Sequence, residues 1–238
     1  QSVEWAAEHC VVRPAGRVLH VCQHRLREKE FLRAAGLPLP EFVEVDSLES
    51  LRSAVERLGV PSVLKTAAFG YDGKGQRKIL KDSDLAEVWS NFEGQTAVLE
   101  AWVPFECEIS VLVARSSNGE KAVYPVCENA HANHVLDLTL VPARISEVAA
   151  SQARHLAEQA AEALDLVGLL AVEMFLLPDG RILINEMAPR PHNSGHYTQD
   201  AAACCQFEQH VRAVTTPMNC RTATRLSLTK SWRTNPPV

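Results

Sequence analysis

The sequence predicts an α+β fold, antiparallel sheets flanked by helices, on three observations. Two aliphatic runs, residues 169–177 and 183–188, bracket the turn signal Pro178-Asp179-Gly180 and read as a β-hairpin. A strand, a glycine-rich loop and a second strand follow one another across residues 61–80. Between these units, Ala153, Leu156, Ala157, Ala160, Ala161 and Leu164 recur at helical spacing, with Glu158 and Glu162 on the solvated side.

The elements follow in order. Residues 18–22 read as extended, and 25–35 as a helix stopped by Gly36 with Pro38 and Pro40 beyond. A second helix spans 47–58, with Ser47 as N-cap and Gly59 as stop. Strands at 61–66 and 76–80 flank the glycine loop, and a short helix occupies 83–91. Residues 98–103 and 108–115 read as strands joined through Pro104 and Phe105, and further strands run through Tyr124. A helix begins near Ser146, the hairpin follows, and residues 200–214 read as a last helix holding Cys204 and Cys205 in packing positions. No internal repeat or low-complexity linker interrupts this order.

The hairpin carries the sharpest chemical signal. A two-residue loop of Asp179 and Gly180 puts Pro178 opposite Arg181 and Glu173 opposite Glu186, on one face, with Cβ atoms roughly 4.5–5.5 Å apart. Carboxylates that close repel, so one takes up a proton unless a cation lies between them. Mg²⁺ suits the position, since it accepts one or two carboxylates together with phosphate oxygens, and Asn185 adds an amide oxygen. Two unrelated glutamates on a solvated face stay open as the alternative, and a three-residue loop would spoil the register. Directly after the strand comes Pro189-Arg190-Pro191-His192-Asn193-Ser194-Gly195-His196, a crowding of polar groups suited to a charged ligand.

In the loop Phe69-Gly70-Tyr71-Asp72-Gly73-Lys74-Gly75-Gln76, glycines let backbone N–H groups wrap phosphate oxygens while Lys74 and Lys65 add positive charge. The spacing is not that of a Walker A loop. It suits a flap over nucleotide phosphates, with an ordinary glycine-rich hairpin as the alternative. In residues 97–115, extended backbone can read an adenine edge and Glu108 can hold ribose hydroxyls. By spacing alone, a surface glutamate is the better reading of Glu108. His20, Cys22 and His24 lack the second cluster that a zinc site needs.

Taken together, Lys65, the loop 70–76, residues 100–103, Glu108, Glu173, Asn185, Glu186 and the run 188–196 resemble the ATP-grasp superfamily. Within it the pattern is similar to the N5-carboxyaminoimidazole ribonucleotide synthases over residues 23–214. Formate-dependent glycinamide ribonucleotide transformylases share a similar Pro-Arg-Pro-His but differ in the residues that follow it and in the glycine loop. The resemblance implies an ATP-grasp fold, two α+β subdomains clamping a nucleotide between antiparallel sheets. It implies ATP and Mg²⁺ as cofactors, with Glu173 and Glu186 as metal ligands. Nucleotide contacts are implied for Arg25, Lys65, Gly70, Tyr71, Asp72, Gly73, Lys74, Gly75, Gln76, Glu100, Ala101, Trp102, Val103, Glu108, His131, Asn185 and Glu186. Arg190, His192 and Asn193 are implied to handle bicarbonate or carboxyphosphate and the ribonucleotide, and Lys74, the further catalytic residue implied, to neutralise phosphate charge.

The activity so implied is ATP- and bicarbonate-dependent carboxylation of 5-aminoimidazole ribonucleotide through carboxyphosphate, in purine biosynthesis. A non-catalytic ATP-binding fragment and a formate-using ligase are the alternatives. The family further implies a homodimer and a mutase for the next step, fused or separate. Residues 1–20 read as the remnant of an N-terminal Rossmann-like domain, 21–214 as the ATP-grasp domain with a mobile glycine-loop subdomain near 60–103, and 215–238 as a divergent or truncated segment.

Composition agrees. The 238 residues are enough for a substantial core in one large or two small domains. There are 24 Lys and Arg against 29 Asp and Glu, a net charge of −5 with no basic run, which argues against nucleic acid. No apolar stretch has membrane-spanning length and no signal peptide pattern opens the chain. Seven irregularly placed cysteines suit a reducing compartment, so the expectation is a cytoplasmic protein without a membrane partner.

Overall fold

A computed structural model describes residues 2–68, 75–92, 94–215 and 230–233. Helices α1 (Ser2–Ala7), α2 (Gly16–Cys22) and α3 (Arg25–Ala34) precede β1 (Phe42–Val45), α4 (Leu48–Leu58), β2 (Ser62–Thr66), β3 (Gln76–Ile79), α5 (Leu85–Ser90) and β4 (Ala97–Ala101). Then come β5 (Cys107–Arg115), β6 (Lys121–Val123), β7 (Cys127–Ala132), β8 (Val135–Val141) and α6 (Glu147–Ala163). Strands β9 (Gly168–Leu176) and β10 (Ile182–Ala188) lead into a 3₁₀ turn (Asn193–Gly195), α7 (Thr198–Ala201), α8 (Gln206–Thr215) and β11 (Lys230–Arg233).

Two antiparallel sheets result. The smaller runs β1-β4-β2-β3, and the larger runs β10-β9-β5-β7-β8-β11 with β6 beside β5. The predicted α+β class with antiparallel sheets is what the chain adopts. The small sheet buries Val45, Leu64, Ile79, Ala97 and Leu99 against α4 and α5. Helix α4 starts where the sequence places it, because the Ser47 hydroxyl accepts from the Ser50 N–H and Ser50 returns a bond to the Ser47 N–H. The large sheet alternates faces. Ile109, Val111, Val113, Val172 and Met174 pack under α6, whose alanines allow the helix to lie close, while Leu112, Ala114, Leu169 and Ala171 pack on the other side toward α8. That second face continues into the cleft and carries the polar residues of the site. No helix of the described residues is long and apolar enough to cross a membrane.

Three expectations of local structure are corrected. Residues 18–22 are helical, not extended: Val18, Val21 and Cys22 fall at the spacing of one helix face and pack into the main core, a pattern that two valines in a short window disguise. The predicted helix 200–214 is two helices. Thr198 Oγ1 donates to Gly195 O at 2.6 Å and accepts from Gln206 N–H at 2.9 Å, so α8 starts at Gln206 and Cys204 and Cys205 sit in the break. The hairpin loop has three residues, not two. Leu177 N–H donates to Arg181 O at 2.9 Å and Gly180 takes a positive φ of 86°.

That longer loop should have turned Glu186 toward the core. A bulge at Asn185 undoes it: Ile184 pairs with Met174, whereas Glu186 pairs with Glu173. Asn185 and Glu186 thus stand together opposite Glu173, the two-against-one count of a β-bulge. The expected pairing of the two glutamates is present, reached by two irregularities that cancel.

Candidate functional site

A cavity of about 750 Å³ lies between the two sheets. The small sheet contributes Lys65, Gly75, Gln76 and Lys78, and the large sheet contributes Glu108, His131, Glu173, Phe175, Asn185 and Glu186. Trp102 and Phe105 line it from the connection after β4, and Arg190, His192 and Asn193 from the segment after β10. A smaller cavity of about 300 Å³ adjoins it and shares Arg25, Glu186 and Arg190.

Strand register explains why these side chains meet. One row across the large sheet reads Glu186, Glu173, Ser110 and Cys127, and the next reads Phe175, Glu108, Asn129 and Thr139. Phe105 stacks on Phe175 with ring centroids 4.8 Å apart, which gives the cavity an apolar wall. Glu108 Oε2 lies 2.7 Å from His131 Nδ1. That hydrogen bond raises the His131 pKa, against the lowering effect of burial. Both groups were expected at the nucleotide; the cavity brings them together as a pair.

The two carboxylates already have protein partners. His192 Nε2 is 2.9 Å from Glu173 Oε1, and Arg25 Nη1 is 3.4 Å from Glu186 Oε2. Burial pushes the Glu173 pKa up, but His192, His131 and Arg190 outweigh it and the carboxyl is held below its ordinary value. The repulsion that sequence reasoning assigned to a cation alone is therefore met in part by these side chains. Asn185 Oδ1 is buried with no hydrogen-bond partner, an acceptor left open beside both glutamates. Two carboxylates and a free amide oxygen fit Mg²⁺, whose other ligands are phosphate oxygens and water. Among the described residues, no group of three or more His, Cys, Asp or Glu is arranged to hold a metal unaided.

Glu100 is buried beneath the cavity wall, opposite Val63 in the ladder, and does not itself line the cavity, with Oε2 2.9 Å from Lys65 Nζ and 3.2 Å from Lys29 Nζ. The following backbone is partly committed: Ala101 N–H donates to Glu41 O, and Trp102 N–H donates to Pro61 O. The Trp102 ring is half-exposed, with Lys78 Nζ 3.5 Å above its centroid. Phe69, Gly70, Tyr71, Asp72, Gly73 and Lys74, most of the expected phosphate flap, lie outside the described residues.

Several site-building residues gave no sequence signal. Gln206 accepts from the His192 N–H and donates to the His192 carbonyl, both at 2.9 Å, so α8 fixes the backbone of the Arg-Pro-His segment. Glu28 accepts from the Met187 N–H at 2.6 Å and ties α3 to β10 beside Glu186. The β7–β8 hairpin, with positive φ at Asn133 and His134, brings Asn129 and Thr139 under the cavity. The Asn133-His134 turn was the one readable hint of it.

Comparison with known proteins places this geometry. The family model described as an ATP-grasp domain matches residues 30–207. The chain is similar to the N5-carboxyaminoimidazole ribonucleotide synthase of Bacillus subtilis, 44% identical over 213 residues, covering 90% of this chain and 56% of that protein. It superposes on a crystal structure of an ADP complex of N5-carboxyaminoimidazole ribonucleotide synthetase with a TM-score of 0.87 and 46% identity, covering 91% of this chain and 58% of the other. An Aspergillus clavatus N5-carboxyaminoimidazole synthase in complex with ADP and 5-aminoimidazole ribonucleotide matches with a TM-score of 0.86 and 31% identity, over 93% and 58% of the two chains. The chain thus spans somewhat more than half the length of the relatives it matches.

Proposed function

This chain belongs to the ATP-grasp family, and from that premise we propose that it binds ATP between its sheets and serves ATP- and bicarbonate-dependent carboxylation of 5-aminoimidazole ribonucleotide. The observation that carries the reading is the Glu173–Glu186 pair, with the open Asn185 Oδ1 beside it and Arg190 and His192 next in line.

In this reading the adenine lies against Phe105 and Phe175, with its edge on the backbone at Trp102 and Val103. Glu108 and His131 hold the ribose, and Lys65, with Lys74 of the glycine loop, offsets phosphate charge. Glu173, Glu186 and Asn185 would hold Mg²⁺, which when bound neutralises phosphate charge and aligns the γ-phosphoryl group for transfer. Bicarbonate is a weak electrophile, and phosphorylation turns it into carboxyphosphate, which the ribonucleotide amine attacks directly or as released CO₂. Arg190 can grip the planar carboxylate of that intermediate, or its phosphate, through parallel hydrogen bonds. His192 and Asn193 border the same space, and the cleft walls limit hydrolysis by water.

The test is a coupled assay of ADP release. Stimulation by bicarbonate together with 5-aminoimidazole ribonucleotide is expected, and none by formate with glycinamide ribonucleotide. ATP binding without such stimulation would reduce the reading to a nucleotide-binding unit, and the reverse preference would overturn it in favour of a formate-using ligase.

A further inference from the structure

A line of hydrogen bonds runs beneath the cavity floor and ends on Glu173. Thr139 Oγ1 donates to Asn129 Oδ1 at 3.2 Å. Asn129 Nδ2 donates to Ser110 Oγ at 2.9 Å, and Ser110 Oγ donates to Ser194 Oγ at 2.9 Å. Ser194 Oγ lies 2.9 Å from His192 Nδ1, and His192 Nε2 lies 2.9 Å from Glu173 Oε1. Thr139, Asn129, Ser110 and Ser194 are all buried. Strand pairing supplies the spacing, since Thr139 faces Asn129 and Ser110 faces Glu173 across their ladders.

The direction of the line follows from its His192 end. The Ser194 backbone N–H points at His192 Nδ1 from 3.3 Å, a long bond that favours an acceptor there but leaves the shorter 2.9 Å hydroxyl bond to hold it. Nδ1 then also accepts the Ser194 hydroxyl proton, and Ser194 Oγ must itself accept from Ser110. With its one proton given to Ser194, Ser110 can only accept from the Asn129 amide, whose oxygen is left for Thr139. Turning the amide over would reverse each hydroxyl and drive an Nδ1 proton against the Ser194 N–H. With Nδ1 lacking a proton, the ring carries its hydrogen on Nε2, aimed at Glu173.

We propose that Thr139, Asn129, Ser110 and Ser194 are positioning residues that lock His192 in the Nε2–H form, so that it holds Glu173 by one oxygen and leaves the other for a divalent cation. The inference rests on the reading of Glu173 as a cation ligand. It extends to the carboxylate the rule that hydrogen-bonded partners orient metal-binding groups. A ring protonated on Nδ1 instead would present a lone pair to the carboxylate and push it away.

Two measurements test it. Ring ¹⁵N NMR of His192, on protein free of nucleotide and metal, should show the Nε2–H form in the wild type and a mixture of forms in Ser110→Ala. In Ser110→Ala the Mg²⁺ needed for half-maximal binding of a non-hydrolysable ATP analogue should rise about tenfold or more, while binding of the analogue without Mg²⁺ stays within about twofold. An Nδ1–H ring in the wild type, or an unchanged ring spectrum and Mg²⁺ dependence in Ser110→Ala, would overturn the proposal. If Ser110→Ala does not fold, the near-isosteric Thr139→Val at the far end is read by the same two measurements with the same expected directions. Loss of all Mg²⁺ dependence in the wild type, with the ring still Nε2–H, would instead remove the cation reading of Glu173.

Discussion

Lys29 Nζ lies 3.2 Å from Glu100 Oε2, and neither side chain reaches solvent. Lys65 joins from the cavity side at 2.9 Å, so one carboxylate ties α3 to β2 and β4 at the base of the cleft between the sheets. Removing it strands a buried ammonium. Glu100→Gln is expected to cost about 3–5 kcal/mol of stability, measured by urea unfolding.

The same carboxylate gives a pH dependence of known sign. Burial pushes the Glu100 pKa up, but Lys29, Lys65 and Arg25 together hold it down to about 2, below the ordinary 4.5. A depressed carboxylate pKa adds stability above the unfolded value, and that stability is lost as pH falls toward the folded one. The stability gap between wild type and Glu100→Gln should therefore be constant above about pH 5 and close between about pH 4.5 and 2.

Gly195 sits where any side chain collides. A Cβ there would overlap Gln206 and Leu112, and Gln206 is the residue that brackets His192. Gly195→Ala should destabilise by about 1–3 kcal/mol and lower ADP release beyond what unfolding explains. Thermal melts and the coupled assay on the same preparation separate the two effects.

Asn185→Ala keeps the bulge backbone but removes the unpaired oxygen beside the glutamates. Thermal stability should change by less than about 1 kcal/mol, while the Mg²⁺ requirement for ATP binding rises. An unchanged Mg²⁺ midpoint would remove Asn185 from the ligand set.

Glu186→Ala strips one of the two facing carboxylates and leaves Arg25 without its partner. ADP release should fall about a hundredfold or more, and chelation of Mg²⁺ should have the same effect on the wild type.

How far the sequence could be read depended on whether a feature was local. The Ser47 cap, the alanine face of α6 and the run of strands were legible because propensity and periodicity decide them within a few residues. The pairing of Glu173 with Glu186 was predicted on a two-residue loop that does not exist, and the Asn185 bulge restored it; nothing local distinguishes a bulged strand from a regular one. Lys29 and Glu28 sit on a helix rich in charge, where the pattern marks them as solvated. Only the packing of α3 between the two sheets buries them. Ser110, Asn129 and Thr139 are small polar residues on separate strands, and it takes the register of three ladders to bring them into line.

The most direct test of the central claim is a crystal structure with Mn²⁺ and a non-hydrolysable ATP analogue, read by anomalous scattering. An anomalous peak within coordination distance of Glu173 and Glu186, touching the analogue's phosphates, is the predicted result. A well-ordered nucleotide with its Mn²⁺ peak away from both carboxylates would contradict the account.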